Sequence, residues 1–298
     1  MRNTNETRVH QVMPEPTTTV SVSAEDELDV WVMGEGAPVV FVHGGVIRDL
    51  LEPVADELAS RGGYQVIHYG RRGYGGTGLP AETADIPEQA TDVVTILDAL
   101  GVDRAHVAGH SFGAYIALEL ATRAPDRLLS AMLLEPVFAQ QVRTAAAQQG
   151  VKDVIEVTMP LIVDKYTGGD TEGAVATFCD ATSGLQGAME LIEPALPKGA
   201  RELAGTDLNT FLQVDLPAMG SWTAEPSTVR KTTTPIAWIG CADNSPAFVT
   251  ESRALLQQWL PATKAVGIAG AGHYFPVLKP ADTATALDEL VRSQTPAR

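Results

Sequence analysis

From residue 19 onward, short β-branched apolar runs alternate with longer segments whose apolar residues recur at helical spacing. That alternation leaves few folds open, because a strand followed by a crossover helix builds a mostly parallel sheet covered on both faces. Thr19 to Ser23 and Leu28 to Met33 read as an opening antiparallel pair, and Pro38 to Val42, Gln65 to Tyr69, Ala105 to Ala108 and Leu128 to Leu134 as buried strands. Between them, Leu50 to Leu58, Ile86 to Leu100 and Ser111 to Arg123 carry the helical pattern. The alternation stops after Pro136, where several helices without strands are expected, and resumes with strands at Pro235 to Ile239 and Ala265 to Ile268 and helices at Pro246 to Leu260 and Ala281 to Val291. The expected organisation is a flexible leader over 1–18, a core over 19–136 and 232–298, and a helical lid over 137–231.

Composition narrows the function. The 21 Lys and Arg face 37 Asp and Glu, a formal net charge of −16. A surplus of anions argues against nucleic acid or an anionic membrane surface as a partner, since both require cations to neutralise phosphates. No apolar run approaches the roughly 20 residues of a membrane span. Stretch 1–11 lacks the apolar core of a secretory signal, so a cytoplasmic location is expected. Cys179 and Cys241 do not have zinc-ligand or CxxC spacing and read as buried thiols. Neither a metal nor a cofactor is implied.

The sharpest motif is Gly109-His110-Ser111-Phe112-Gly113, a G-x-S-x-G placed directly between a strand and a helix. In that context the serine sits on a tight turn at a helix N-terminus, where free amides favour a developing oxyanion. Its hydroxyl needs a general base. Of the six histidines, His10 lies in the leader, His106 within a strand and His68 near a strand end. His43 and His110 flank the motif loops and suit backbone support. His273, in Gly270-Ala271-Gly272-His273 after the last strand, is the expected base. His43-Gly44-Gly45 ends the third strand with residues small enough to bring an amide onto a substrate oxygen, so the N–H groups of Gly45 and Phe112 form the expected oxyanion pair.

These segments together, HGG at 43–45, GHSFG at 109–113, the helical insertion after the sixth strand and AGAGH at 269–273, resemble the α/β-hydrolase superfamily over about residues 19 to 294. The loop from Arg71 to Gly78 is similar to the family's R-G-x-G-x-S loop, with Gly70 where many members carry an aspartate. The resemblance implies an eight-stranded, mostly parallel sheet and a triad ordered serine, acid, histidine. Its acid follows the sixth or the seventh strand. Glu135 and Asp243 stand at those two places; Glu135 is preferred, because a carboxylate ending a buried strand needs a partner, and Asp243 is the alternative.

A serine nucleophile implies acyl-enzyme chemistry on a moderately hydrophobic small-molecule ester or lactone, by a monomer or homodimer. Non-hydrolytic chemistry on the same triad (a perhydrolase, C–C hydrolase or lyase) and an idle ligand receptor are the alternatives. The lid residues expected to line a substrate pocket are Trp222, Phe138, Met159, Phe178, Met189 and Phe211, with Trp222 foremost because it has no helical apolar face to join. Lys165, Lys198 and the carboxylates of the segment read as solvated faces.

Overall fold

Period-two burial divides the strand side chains between two apolar layers. Val39 and Phe41 enter one cluster and Val40 and Val42 the other, as alternate residues of one strand must. In the computed structural model, which describes residues 14–81, 84–243 and 245–294, the strands are β1 (Thr18–Ser21), β2 (Glu27–Met33), β3 (Ala37–Val42), β4 (Tyr64–Tyr69), β5 (Ala105–His110), β6 (Leu128–Leu134), β7 (Ile236–Cys241) and β8 (Lys264–Ile268). They form one sheet in the order β1-β2-β4-β3-β5-β6-β7-β8. The β1–β2 and β2–β4 pairs are antiparallel and the rest parallel. The carboxyl ends of β3, β5, β6, β7 and β8 therefore share one rim, where α/β sheets carry their sites. Residues 1–13, most of the leader, lie outside the described residues; Pro14 and Thr17 are bonded to Trp31 and Val32 of β2.

Helices α1 (Glu52–Ser60), α2 (Ile86–Ala99) and α3 (Phe112–Arg123) cross between the early strands. Asp85 caps α2 with a reciprocal pair, its Oδ1 accepting from the Glu88 amide while Glu88 Oε2 accepts from the Asp85 amide. Between β6 and β7 the chain forms α4 (Ala145–Asp153), α5 (Met159–Thr167), α6 (Thr171–Ser183), α7 (Ala188–Ile192), α8 (Ala200–Thr210), α9 (Leu216–Ser221) and α10 (Pro226–Val229), as the loss of alternation predicts. Two π-helical turns, Val154–Thr158 and Phe211–Asp215, join α4 to α5 and α8 to α9. Each precedes a helix with proline at its second position, Pro160 or Pro217; a proline has no N–H for the preceding turn and its ring widens it. Helices α11 (Ala247–Trp259), α12 (Phe275–Leu278) and α13 (Pro280–Gln294) complete the chain's described part. Among the described residues no helix is long and apolar enough to cross a membrane.

Candidate active site

The turn from β5 into α3 explains why its sequence is G-x-S-x-G. A Cβ on Gly109 would lie 2.1 Å from the Gly113 carbonyl oxygen, and a Cβ on Gly113 would lie 2.1 Å from that of Val42, so both positions exclude any side chain. Ser111 between them is held at φ 52°, ψ −114°. It is one of three non-glycine residues with positive φ among those described, with Val46 (φ 65°) and Glu135 (φ 54°). Each such residue costs about 1–3 kcal/mol, and such strain clusters at functional sites. All three stand just past the carboxyl ends of neighbouring strands, β5, β3 and β6. Ser111 is half-buried, and among the described residues its hydroxyl makes no hydrogen bond.

Glu135 ends β6 with its side chain 2% exposed. Its Oε1 accepts the Cys241 amide at 2.8 Å, and its Oε2 accepts from Nδ1 of His273 at 2.6 Å. An imidazole donating from Nδ1 carries its lone pair on Nε2, so it can take a proton there. His110 ties this histidine to the serine turn: its Nε2–H donates to the His273 carbonyl at 3.0 Å, with ring centroids 4.5 Å apart. Burial, and then the His273 charge, drives the His110 pKa well below its ordinary value, so it stays neutral and structural. Asp243 is exposed and does not meet His273. It accepts the Gly270 amide at 3.0 Å, which bends the loop carrying the histidine, and that amide holds its pKa below the ordinary value.

On the β3 side, Gly45 is half-buried, and neither its amide nor that of Phe112 donates a hydrogen bond among the described residues. Both stand just past the ends of neighbouring parallel strands, β3 and β5. His43 supports the loop from within: Nδ1–H donates to the Gly44 carbonyl at 2.7 Å and Nε2 accepts the Arg71 amide at 3.0 Å. Burial, then the Arg71 charge, puts its pKa well below the ordinary value.

The carboxylates of the helical insertion do not all face solvent. Asp215 is fully buried on the guanidinium of Arg71, and Asp207, 1% exposed, accepts the Gly75 and Gly76 amides at 3.1 Å. A helical-periodicity reading treats every carboxylate as hydrated; what overrides it is the glycine-rich loop 70–78, whose Gly75 and Gly76 amides and buried Arg71 take carboxylates from the insertion. This Arg71–Asp215 pair is a part of the site's surroundings that sequence reasoning missed.

The six aromatic and Met candidates divide. Phe211 covers Gly45 so closely that a Cβ there would lie 2.6 Å from its Cδ2, and Phe178 packs edge-on against Phe211 with centroids 4.9 Å apart. Met189 is fully buried beside Cys179, and Met159 packs on the same apolar layer. Phe138 and Trp222 belong to the other apolar layer. Phe138 packs at a tilt against Trp259, while Trp222 packs on Tyr115 and donates Nε1–H to Glu119 at 2.9 Å. That anchorage is why Trp222 needs no helical apolar face.

A family model described as the alpha/beta hydrolase family matches residues 39–286, from β3 into the last helix. The chain belongs to the alpha/beta hydrolase family. Among curated relatives of this alpha/beta hydrolase, RutD of Azorhizobium caulinodans, named for carbamate hydrolysis, is 40% identical over 100 residues, 33% of this chain and 37% of the relative. A Mycobacterium phage D29 protein named for non-heme haloperoxidase activity is 31% identical over 172 residues, 53% of this chain and 62% of the relative. The chain thus spans between about a third and three fifths of these relatives' lengths. A thermophilic esterase from Thermogutta terrifontis superposes with a TM-score of 0.68 at 20% identity, over 93% of this chain and 98% of that one, a likeness of fold.

Proposed function

We propose that the protein is a serine hydrolase that cleaves a carboxylic ester or lactone of a moderately hydrophobic small molecule through an acyl-enzyme on Ser111. The observation that carries this reading is the Glu135–His273 hydrogen bond of 2.6 Å at the same rim as a serine on a strained strand-to-helix turn. In the reaction, Nε2 of His273 takes the Ser111 proton as Oγ attacks the carbonyl carbon. The Gly45 and Phe112 amides receive the oxyanion. The intermediate collapses when His273 returns the proton to the leaving alkoxide, and water then attacks the acyl-enzyme by the same steps. Glu135 keeps Nδ1 protonated and stabilises the transient imidazolium. Helices α4 to α10 act as a lid, with Phe211 and Phe178 on the acyl side.

A second reading is a perhydrolase, in which hydrogen peroxide replaces water in the second step and a peracid leaves; the phage relative is named for non-heme haloperoxidase activity. RutD likewise points to a carbamate as an acyl donor of the same electronic type. A panel of p-nitrophenyl esters, lactones and an aryl carbamate, with water or peroxide as acceptor, separates these readings. A burst of nitrophenol equal to the enzyme concentration, then slower turnover, is the expected result. Inertness toward every acyl donor would remove the hydrolytic reading.

A further inference from the structure

Resting on that reading, we propose that Asp215 is a positioning residue for the oxyanion loop: its carboxylate, brought in by the helical insertion, fixes Arg71 and Tyr74, which in turn fix Gly44 and Val46 on either side of the Gly45 amide. Asp215 receives Arg71 in a fork, Nη1 on Oδ1 at 3.0 Å and Nη2 on Oδ2 at 2.6 Å. Nη2 also donates to the Gly44 carbonyl at 2.9 Å, and Nη1 to Gln89 at 2.7 Å. The Tyr74 hydroxyl donates to Asp215 Oδ2 at 2.5 Å and accepts the Val46 amide at 3.2 Å. Val46 is a β-branched residue at φ 65°, a conformation such a side chain adopts only when its surroundings impose it. The guanidinium carbon lies 4.5 Å from the Tyr74 ring centre and 4.4 Å from that of Phe112, the other oxyanion candidate.

Stability alone does not account for this arrangement. Arg71 and Asp215 are each 1% exposed at the side chain, and a buried ion pair contributes about as much as well-packed apolar residues of the same volume. An apolar pair would hold no carbonyl and no amide of the 43–47 loop. The pair is also where the insertion meets the site, since the turn Phe211–Asp215 sets Phe211 on Gly45 and Asp215 on Arg71 and Tyr74. The insertion therefore supplies both the ring over Gly45 and the carboxylate that anchors Arg71 and Tyr74.

The test compares wild type, Asp215→Asn and the double variant Arg71→Met with Asp215→Leu, which removes both charges and so avoids the unpaired buried guanidinium that the single variant leaves. Measured are kcat and KM on an aryl ester, affinity for an aryl trifluoromethyl ketone that mimics the tetrahedral adduct, and hydrogen–deuterium exchange of the 43–48 segment. Both variants are expected to lose about 10- to 100-fold in kcat, with KM within threefold, ketone affinity falling by the same factor as kcat, and exchange of 43–48 accelerated. A folded variant with kcat and ketone affinity within threefold of wild type, a change in KM alone, or kcat restored in the double variant would overturn the proposal. Exchange reads the clamp without turnover. If wild type is inert toward esters yet the variants loosen 43–48, the clamp stands and the hydrolytic reading fails; unchanged exchange in an inert protein refutes both.

Discussion

Glu135 and His273 stand 138 residues apart in the chain and share a hydrogen bond of 2.6 Å, while Asp243, closer in sequence to the histidine, spends its carboxylate on the Gly270 amide. Glu135 keeps both oxygens engaged, on a ring nitrogen and on the Cys241 amide, within the sheet rim. The two acids thus have different tasks: one orients an imidazole, the other shapes the loop that carries it.

Glu135→Gln is expected to lower kcat about 10³- to 10⁴-fold, because an amide in place of the carboxylate favours the wrong imidazole tautomer and cannot stabilise its cation. Asp243→Asn should stay within a few-fold of wild type, since an amide oxygen still accepts from Gly270. Steady-state kinetics on one aryl ester decides it. Equal losses, or a larger loss at Asp243, would reassign the acid.

Gly45→Ala sets a Cβ 2.6 Å from Cδ2 and 2.9 Å from Cε2 of Phe211. The ring is braced by Phe178, so overpacking should cost about 1–3 kcal/mol. Urea unfolding would show that loss, kcat/KM should fall at least about tenfold as the 45 amide shifts, and adding Phe211→Leu should restore most of the stability. A Gly45→Ala protein as stable and active as wild type would mean Phe211 does not cover the loop.

Burial raises the Asp207 carboxyl from its ordinary 3.8 to about 6, against the opposing pull of the Gly75 and Gly76 amides. Because the folded value lies above the unfolded one, the native state holds the proton longer, and this group's ionisation weakens the fold as pH rises between about 4 and 6. The full effect is about 3 kcal/mol at 1.36 kcal/mol per pKa unit. Asp207→Asn, which cannot titrate, should therefore gain on wild type by about that amount between about pH 3 and 7, on top of a pH-independent offset. Chemical denaturation at stepped pH values measures the difference, and a flat difference would contradict it.

The fold was legible because it rests on patterns local to each segment. Burial on both faces made Val39–Val42 of β3 and Ala131–Leu134 of β6 continuous apolar runs, and β5, Ser111 and α3 follow one another with no room for a loop. His273 was singled out because its loop follows the last strand. Glu135 against Asp243 was harder, since both follow strand ends and differ only in which loop folds toward the imidazole. The Asp215–Arg71 pair could not be read from periodicity, which reports neighbours along one helix and nothing about a partner 144 residues away. The partners of Trp222 were hidden for the same reason: Tyr115 and Glu119 belong to α3.

The central claim is tested most directly by treating the protein with a fluorophosphonate and locating the adduct by peptide mass spectrometry. The account expects one phosphonyl group on Ser111, no labelling of Ser111→Ala, and labelling slowed about a thousandfold or more in His273→Ala, where the hydroxyl has lost its base. A wild-type Ser111 that stays unmodified, or one that reacts equally fast without His273, would contradict it.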